Sequence, residues 1–173
     1  MGNRVVEVAP ERLDGWLERF RANNPDGPQR VVGLERFDHG RLAVVLVRRG
    51  GYAVGSAEGG RLTAHKVGTR YVQSRTAAGG WSQQRFARRR ANQADELVGA
   101  AADHAARLLA GARAEGLVVG GDRALVASVL DDPRLAGIRD LPRRELYDLP
   151  DPRLDVLERA VERGRAVRVT IDE

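Results

Sequence analysis

Apolar positions along the chain change spacing from helical to extended and back. Leu13, Trp16, Leu17 and Phe20 recur every three or four residues, which predicts an amphipathic helix over Pro10 to Phe20. The run Asn23-Asn24-Pro25-Asp26-Gly27-Pro28 breaks it. Three strands are expected next: the continuous apolar run Leu42 to Val47, then Tyr52 to Ala57, then Arg61 to about Val72. Arg49-Gly50-Gly51 and Glu58-Gly59-Gly60 separate them as turns, so they read as an antiparallel meander. A glycine-rich loop around Gly79-Gly80 leads into a long helix from about Ser82 to Glu115. Its stripe of Ala87, Ala91, Ala94, Val98, Ala101, Ala105, Leu108 and Ala112 advances by threes and fours and predicts one buried face. Arg85, Arg88 and Arg89 fall off that stripe, on the solvent side of the first turns.

The second half alternates short strands with helices. Leu117 to Val119 reads as a strand, Gly120-Gly121-Asp122 as a tight turn, and Arg123 to Leu130 as a helix. A strand near Glu145 to Leu149 precedes Asp151-Pro152, a capping residue with proline at the first helical position, and a helix to about Arg163 closed by Gly164. Val167, Val169 and Ile171 alternate with Arg168 and Thr170 in the manner of an edge strand. Meander, long helix and βαβ-like units together predict a single α/β sandwich with a mixed sheet. Residues 1–28 are expected to form an N-terminal helical extension and 29–173 the main domain.

Composition narrows the function classes. The chain has 173 residues, 42% hydrophobic and 31% charged, enough to bury a core and too apolar for a disordered chain. No apolar run reaches membrane-span length and MGNRVVEVAP carries no signal-peptide core, so a cytoplasmic protein without membrane attachment is expected. Without cysteine there is no thiol chemistry, and His39, His65 and His104 are too scattered for a ligand set, so no metal site is expected.

Charge is distributed unevenly. Of the 29 Lys and Arg, eight lie between Arg61 and Gln93, a stretch with no Asp or Glu: Arg61, Lys66, Arg70, Arg75, Arg85, Arg88, Arg89 and Arg90. The rest of the chain holds the other 21 against all 24 Asp and Glu, so the positive field belongs to this one segment. A general preference for arginine explains arginine over lysine but not the missing acids, which attraction to polyphosphate does explain.

That segment brackets Gly79-Gly80-Trp81-Ser82-Gln83-Gln84-Arg85-Phe86-Ala87-Arg88-Arg89-Arg90. The string resembles the catalytic loop and following helix of eukaryotic and archaeal class I release factors, where Gly-Gly-Gln precedes an RFAR-like helix start. More closely it resembles the actinobacterial version of the Vms-one-like release factor domain, a peptidyl-tRNA hydrolase family. The meander, the long helix, the Gly-Gly-Asp turn and the DPRLDVLERA helix extend the resemblance over most of the chain. Trp81 stands where the release factors have glutamine; the Vms-one-like family has its glutamine displaced from the glycines. The resemblance therefore implies Gln83 as the catalytic glutamine, with Gln84 as the alternative one place on. It further implies that the loop enters the peptidyl-transferase centre beside the terminal adenosine of tRNA. The partners it implies are the large ribosomal subunit and peptidyl-tRNA, for a monomer without a cofactor. A stop-codon-reading domain is not expected in a chain of this length, which points to rescue rather than codon-dependent termination.

Elementary chemistry is compatible with that role. An ester of tRNA needs mainly a positioned water, exclusion of other water and donors to the oxyanion. A neutral amide orients water and donates, but does not titrate and is no general base. Glycines 79 and 80 permit close backbone approach, and the freed N–H groups of a helix start add donors. Lys66, Arg70, Arg75, Arg85, Arg88, Arg89 and Arg90 are the expected phosphate contacts, and Trp81 either stacks on RNA or packs on its own domain. Each piece alone also has a plain structural reading: Gly79-Gly80 as a turn, the glutamines as solvated helix-start residues. Gly120-Gly121-Asp122 lacks the Lys-Ser/Thr of a P-loop and reads as structural, and Asp131-Asp132 as helix-end caps. A ribosome-binding module without hydrolysis and an RNase H-like nuclease remain the other classes.

Overall fold

The computed structural model describes residues 2–69 and 80–173, with backbone alone at 80–83 and 86. The described strands are β1 (Asn3–Val8), β2 (Arg30–Glu35), β3 (Arg41–Arg48), β4 (Gly51–Glu58), β5 (Arg61–Thr69), β6 (Gly116–Gly121), β7 (Arg143–Leu146) and β8 (Val167–Asp172). The helices are α1 (Leu13–Asn23), α2 (Gly80–Leu109), α3 (Arg123–Leu130), the single turn α4 (Ala136–Arg139) and α5 (Leu154–Arg165). The expected class, α/β with a mixed sheet, is what forms, divided into two compact units: Met1–His39 with Glu162–Glu173, and Gly40–Val161. The boundary expected near residue 28 falls inside the first unit.

The first unit is an antiparallel sheet in the order β1-β8-β2. Val6, Val8, Val31, Val167, Val169 and Ile171 pack with Leu13, Trp16, Leu17 and Phe20 of α1, where the Trp16 and Phe20 rings stack at 5.3 Å. The helix is where the apolar spacing put it, but β1 and β2 were not legible. Nor is β8 an edge strand: it pairs with β1 on one side and β2 on the other. Alternation reports that one face is covered, not how many neighbours a strand has.

The second unit carries a five-stranded sheet in the order β5-β4-β3-β6-β7. The meander β3-β4-β5 is antiparallel as expected, its turns relying on positive φ at Gly50 (95°) and Gly59 (58°). β6 lies parallel to β3, and β7 parallel to β6. Leu42 to Val47 is a continuous apolar run because β3 is central and buried on both faces. On one face Val45, Val47, Tyr52, Val54 and Val119 pack with Leu97, Ala101, Ala105 and Leu109 of α2 and Val126, Val129 and Leu130 of α3. On the other, Leu157 of α5 comes against β4 at Gly55, whose added Cβ would lie 3.4 Å from it.

Two helix limits differ from expectation. α5 begins at Leu154 rather than at Pro152, Asp151 instead pairing with Arg48 at 3.4 Å, and it runs through Gly164. α2 ends at Leu109 instead of Glu115; Arg113, at φ 49°, lies in the turn that follows.

Candidate functional site

By this topology the carboxyl ends of β3, β5, β6 and β7 share one edge of the sheet. α2 returns the chain from that edge to the start of β6, so its N-terminal turns project there. The predicted stripe buries the helix only over its second half. Of its members Ala101 and Ala105 are buried, Ala94, Val98 and Leu108 are half-buried, and Ala87 and Ala91 are exposed; Leu97, Ala102 and Leu109, off the predicted stripe, are buried as well. Gln84, Arg85, Arg88, Arg89, Arg90 and Asn92 are exposed as well. Every described side chain from 84 to 92 is thus exposed, and the expectation that Ala87 and Ala91 lie under a covered face is corrected.

Electrostatics of this arm run against helix stability. The first turn carries no acid, and cations near a helix N-terminus oppose the macrodipole. Arg85 and Arg89 are one turn apart, a like-charge spacing that costs a few tenths of a kcal/mol, about 0.2–0.5. No carboxylate appears along the helix before Asp95. A segment that keeps unfavourable charge on an exposed helix is suited to an anionic partner.

The remaining predicted residues divide as follows. Gly80, Trp81 and Gln83 have their backbone in the first turn of α2. Arg70, Arg75 and Gly79 lie outside the described residues. Lys66 is exposed on β5, the sheet's edge strand, against which α2 also packs. One basic residue was missed by sequence reasoning: exposed Arg49, in the β3–β4 turn. It lines a groove of about 320 Å³ with Ala87, Arg90, Ala91, Ala94, Leu97 and Leu125. Its only sequence signal is the arginine pair Arg48-Arg49 ahead of the glycines, which also reads as an ordinary turn.

A wider cleft of about 620 Å³ opens at the same sheet edge, between Arg48, Arg49, Gly121, Asp122 and Tyr147 to Pro150. Arg48 in its wall and Arg123 beside it already have partners. Arg48 donates to the Leu149 carbonyl at 3.3 Å and pairs with Asp151; Arg123 stands 4.0 Å over the Tyr147 ring and pairs with Glu145 at 3.3 Å. Burial, then the Glu145 charge, pushes the Tyr147 hydroxyl above its ordinary value.

The Gly-Gly-Asp element is structural. Gly121 holds φ 102°, where an added Cβ would sit 2.1 Å from the Val47 carbonyl oxygen; at Gly120 the Leu146 carbonyl oxygen would be 2.5 Å away. Asp122 then caps α3, its Oδ1 accepting from the Leu125 N–H at 3.0 Å, so the helix start already has its anion. Asp132 likewise caps the turn at Pro133–Leu135, accepting from the Arg134 N–H at 2.9 Å. The Arg134 guanidinium bridges Asp132 and Asp103 at 2.8 and 2.7 Å, and its hydrogen bonds hold the Asp132 carboxyl at about 2. Among the described residues, no group of three or more His, Asp or Glu gathers as a metal site, and no helix is long and apolar enough to cross a membrane.

Comparison with known proteins finds similar solved structures and a family. Among solved structures the chain is similar to the archaeal translation termination factor aRF1, at 19% identity and a TM-score of 0.43. That likeness covers 62% of this chain and 31% of that one, so it spans about a third of the factor's length. No curated protein matches the sequence. The family described as Actinobacteria/chloroflexi VLRF1 release factor matches residues 40–170, which takes in the whole mixed sheet, α2 and its arginine arm. The chain therefore belongs to the VLRF1 release factor family of Actinobacteria and Chloroflexi.

Proposed function

We propose that the protein is a peptidyl-tRNA hydrolase that releases nascent chains from tRNA on stalled or split large ribosomal subunits, in ribosome rescue and quality control. The observation that carries this reading is the arm itself. An exposed helix start with Arg85, Arg88, Arg89 and Arg90 and no carboxylate follows directly on Gly79-Gly80-Trp81-Ser82-Gln83-Gln84, in a chain of release-factor family. RNA phosphates engage the arginines, with Lys66, Arg70 and Arg75 extending the track and Trp81 stacking on a base or ribose. Gln83, or Gln84 beside it, orients the attacking water and donates to the oxyanion, while backbone N–H groups at Gly80 to Gln83 add donors. Since an amide does not titrate, the proton leaves through water or the substrate's own 2′-hydroxyl. The protein acts in the cytoplasm as a monomer and without a cofactor.

One observation favours a second reading. Trp81 follows the glycines where release factors carry glutamine, which fits a ribosome-binding module that has lost hydrolysis. Labelled peptide release from peptidyl-tRNA on isolated large subunits separates the two. Hydrolysis is expected from the wild type and a loss of at least tenfold from Gln83→Ala or Gln84→Ala. Full activity in both variants refutes the glutamine mechanism. A wild type that cosediments with subunits yet releases nothing establishes the binding module, and shortened tRNA in the same assay reveals a nuclease.

A further inference from the structure

The first turns of α2 present two different faces. Arg85, Arg88 and Arg89 fall on one; Ala87, Arg90, Ala91 and Ala94 fall on the other, where they meet Arg49 of the β3–β4 turn and Leu125 of α3 around the groove of about 320 Å³. Among the described residues no carboxylate lines this groove: its apolar walls are alanine and leucine, and its charged members are both arginine. Small-molecule sites begin at roughly 300 Å³, so the space suits one planar, nucleoside-sized group. Two arginines beside an apolar pocket offer phosphate pairing to the backbone and guanidinium stacking to the base.

We propose that this groove holds one unpaired nucleotide of ribosomal RNA, its phosphate between Arg49 and Arg90 and its base against Ala87, Ala91 and Ala94. The inference rests on the ribosomal reading above and adds a second face to it. An acidic peptide would account for the groove alone, but not for cations on both sides of one exposed helix; RNA approaching from two sides accounts for both. Ribosomal RNA is favoured over tRNA by position. The groove begins four residues beyond Gln83, so at 1.5 Å per residue its wall from Ala87 to Ala94 lies roughly 6–17 Å behind the glutamine assigned to the tRNA ester. The arm's shaft, not its tip, carries the groove.

The test uses the full chain, isolated large subunits and three replacements at exposed positions. Arg49→Glu removes the phosphate partner, Ala91→Leu fills the groove with a good helix former, and p-benzoylphenylalanine at position 91 reports the neighbour by photocrosslinking. One phosphate contact contributes ~5–8-fold in affinity at 0.1 M salt. Arg49→Glu is therefore expected to weaken subunit binding at least ~5-fold, and Ala91→Leu to weaken it similarly, both with unchanged thermal melting and with the crosslink on ribosomal RNA. Wild-type affinity in either variant, or a crosslink to ribosomal protein or to tRNA, overturns the inference. If Arg88→Ala/Arg89→Ala weakens binding while Arg49→Glu does not, the groove fails and the ribosomal reading stands. If the wild type binds no subunits, both fail together.

Discussion

Replacing Arg88 and Arg89 by alanine separates a binding role from a structural one, because the two roles predict different outcomes. Both side chains are exposed on a part of α2 whose described residues are all exposed, so no packing is lost. Alanine is at least as good a helix former as arginine, and losing Arg89 removes its like-charge spacing to Arg85, worth about 0.2–0.5 kcal/mol. Folding stability is therefore expected to stay within about 0.5 kcal/mol of the wild type's, as for most exposed substitutions. Binding, by contrast, falls. Each phosphate neutralised contributes roughly 0.7–0.9 to the slope of log affinity against log salt, so two lost contacts make that slope shallower by about 1.4–1.8. With no electrostatic contribution at 1 M salt as reference, one decade of dilution to 0.1 M makes each contact worth ~5–8-fold and the pair ~25–60-fold. The assay is cosedimentation with isolated large subunits across a salt series, beside a thermal melt of the free protein. An unchanged slope refutes the arginines as phosphate contacts; a melting temperature lowered by several degrees shows that they hold the fold instead.

Other expectations test the scaffold. Gly120→Ala and Gly121→Ala should each lose about 2 kcal/mol or more in denaturant unfolding, since the new Cβ meets carbonyl oxygens at 2.5 and 2.1 Å; a neutral result at either refutes the structural role of the Gly-Gly-Asp element. Leu97→Ala, within the covered half of α2, should cost about 2–5 kcal/mol, whereas Ala87→Gln on the exposed half should stay within about 0.5; similar losses from both contradict a projecting arm. The Asp132 carboxyl, lowered from 3.8 to about 2 by Arg134, favours the folded state above the higher value and ceases to do so as pH falls through the lower. Asp132→Asn should therefore flatten the acid-side fall in stability between those values, and an unaltered acid titration contradicts the pairing.

How far the sequence led depends on whether each feature is local. β3, β4, β5 and α3 were legible because glycine turns bound short apolar runs, and the groups that bound them are neighbours in the chain. The sheet β1-β8-β2 was not, because it joins strands from opposite ends of the chain. Val167, Val169 and Ile171 show that one face of β8 is covered, yet nothing in their alternation counts its two partners. Helix α2 exposes the same limit at the candidate site. Its apolar spacing continues unbroken from Ala87 through Val98 to Ala105, but burial begins only at Leu97. Periodicity belongs to the helix alone, whereas burial belongs to the helix and whatever lies opposite it. An apolar stripe that outruns its own domain keeps its pattern while losing its cover. On α2 the uncovered part begins where the acid-free charge is densest, and a basic side chain that lines the same groove from another element, Arg49, is about forty residues away in sequence. Charge patterning thus found the arm, and only the fold joins it to the turn beside which a partner can rest.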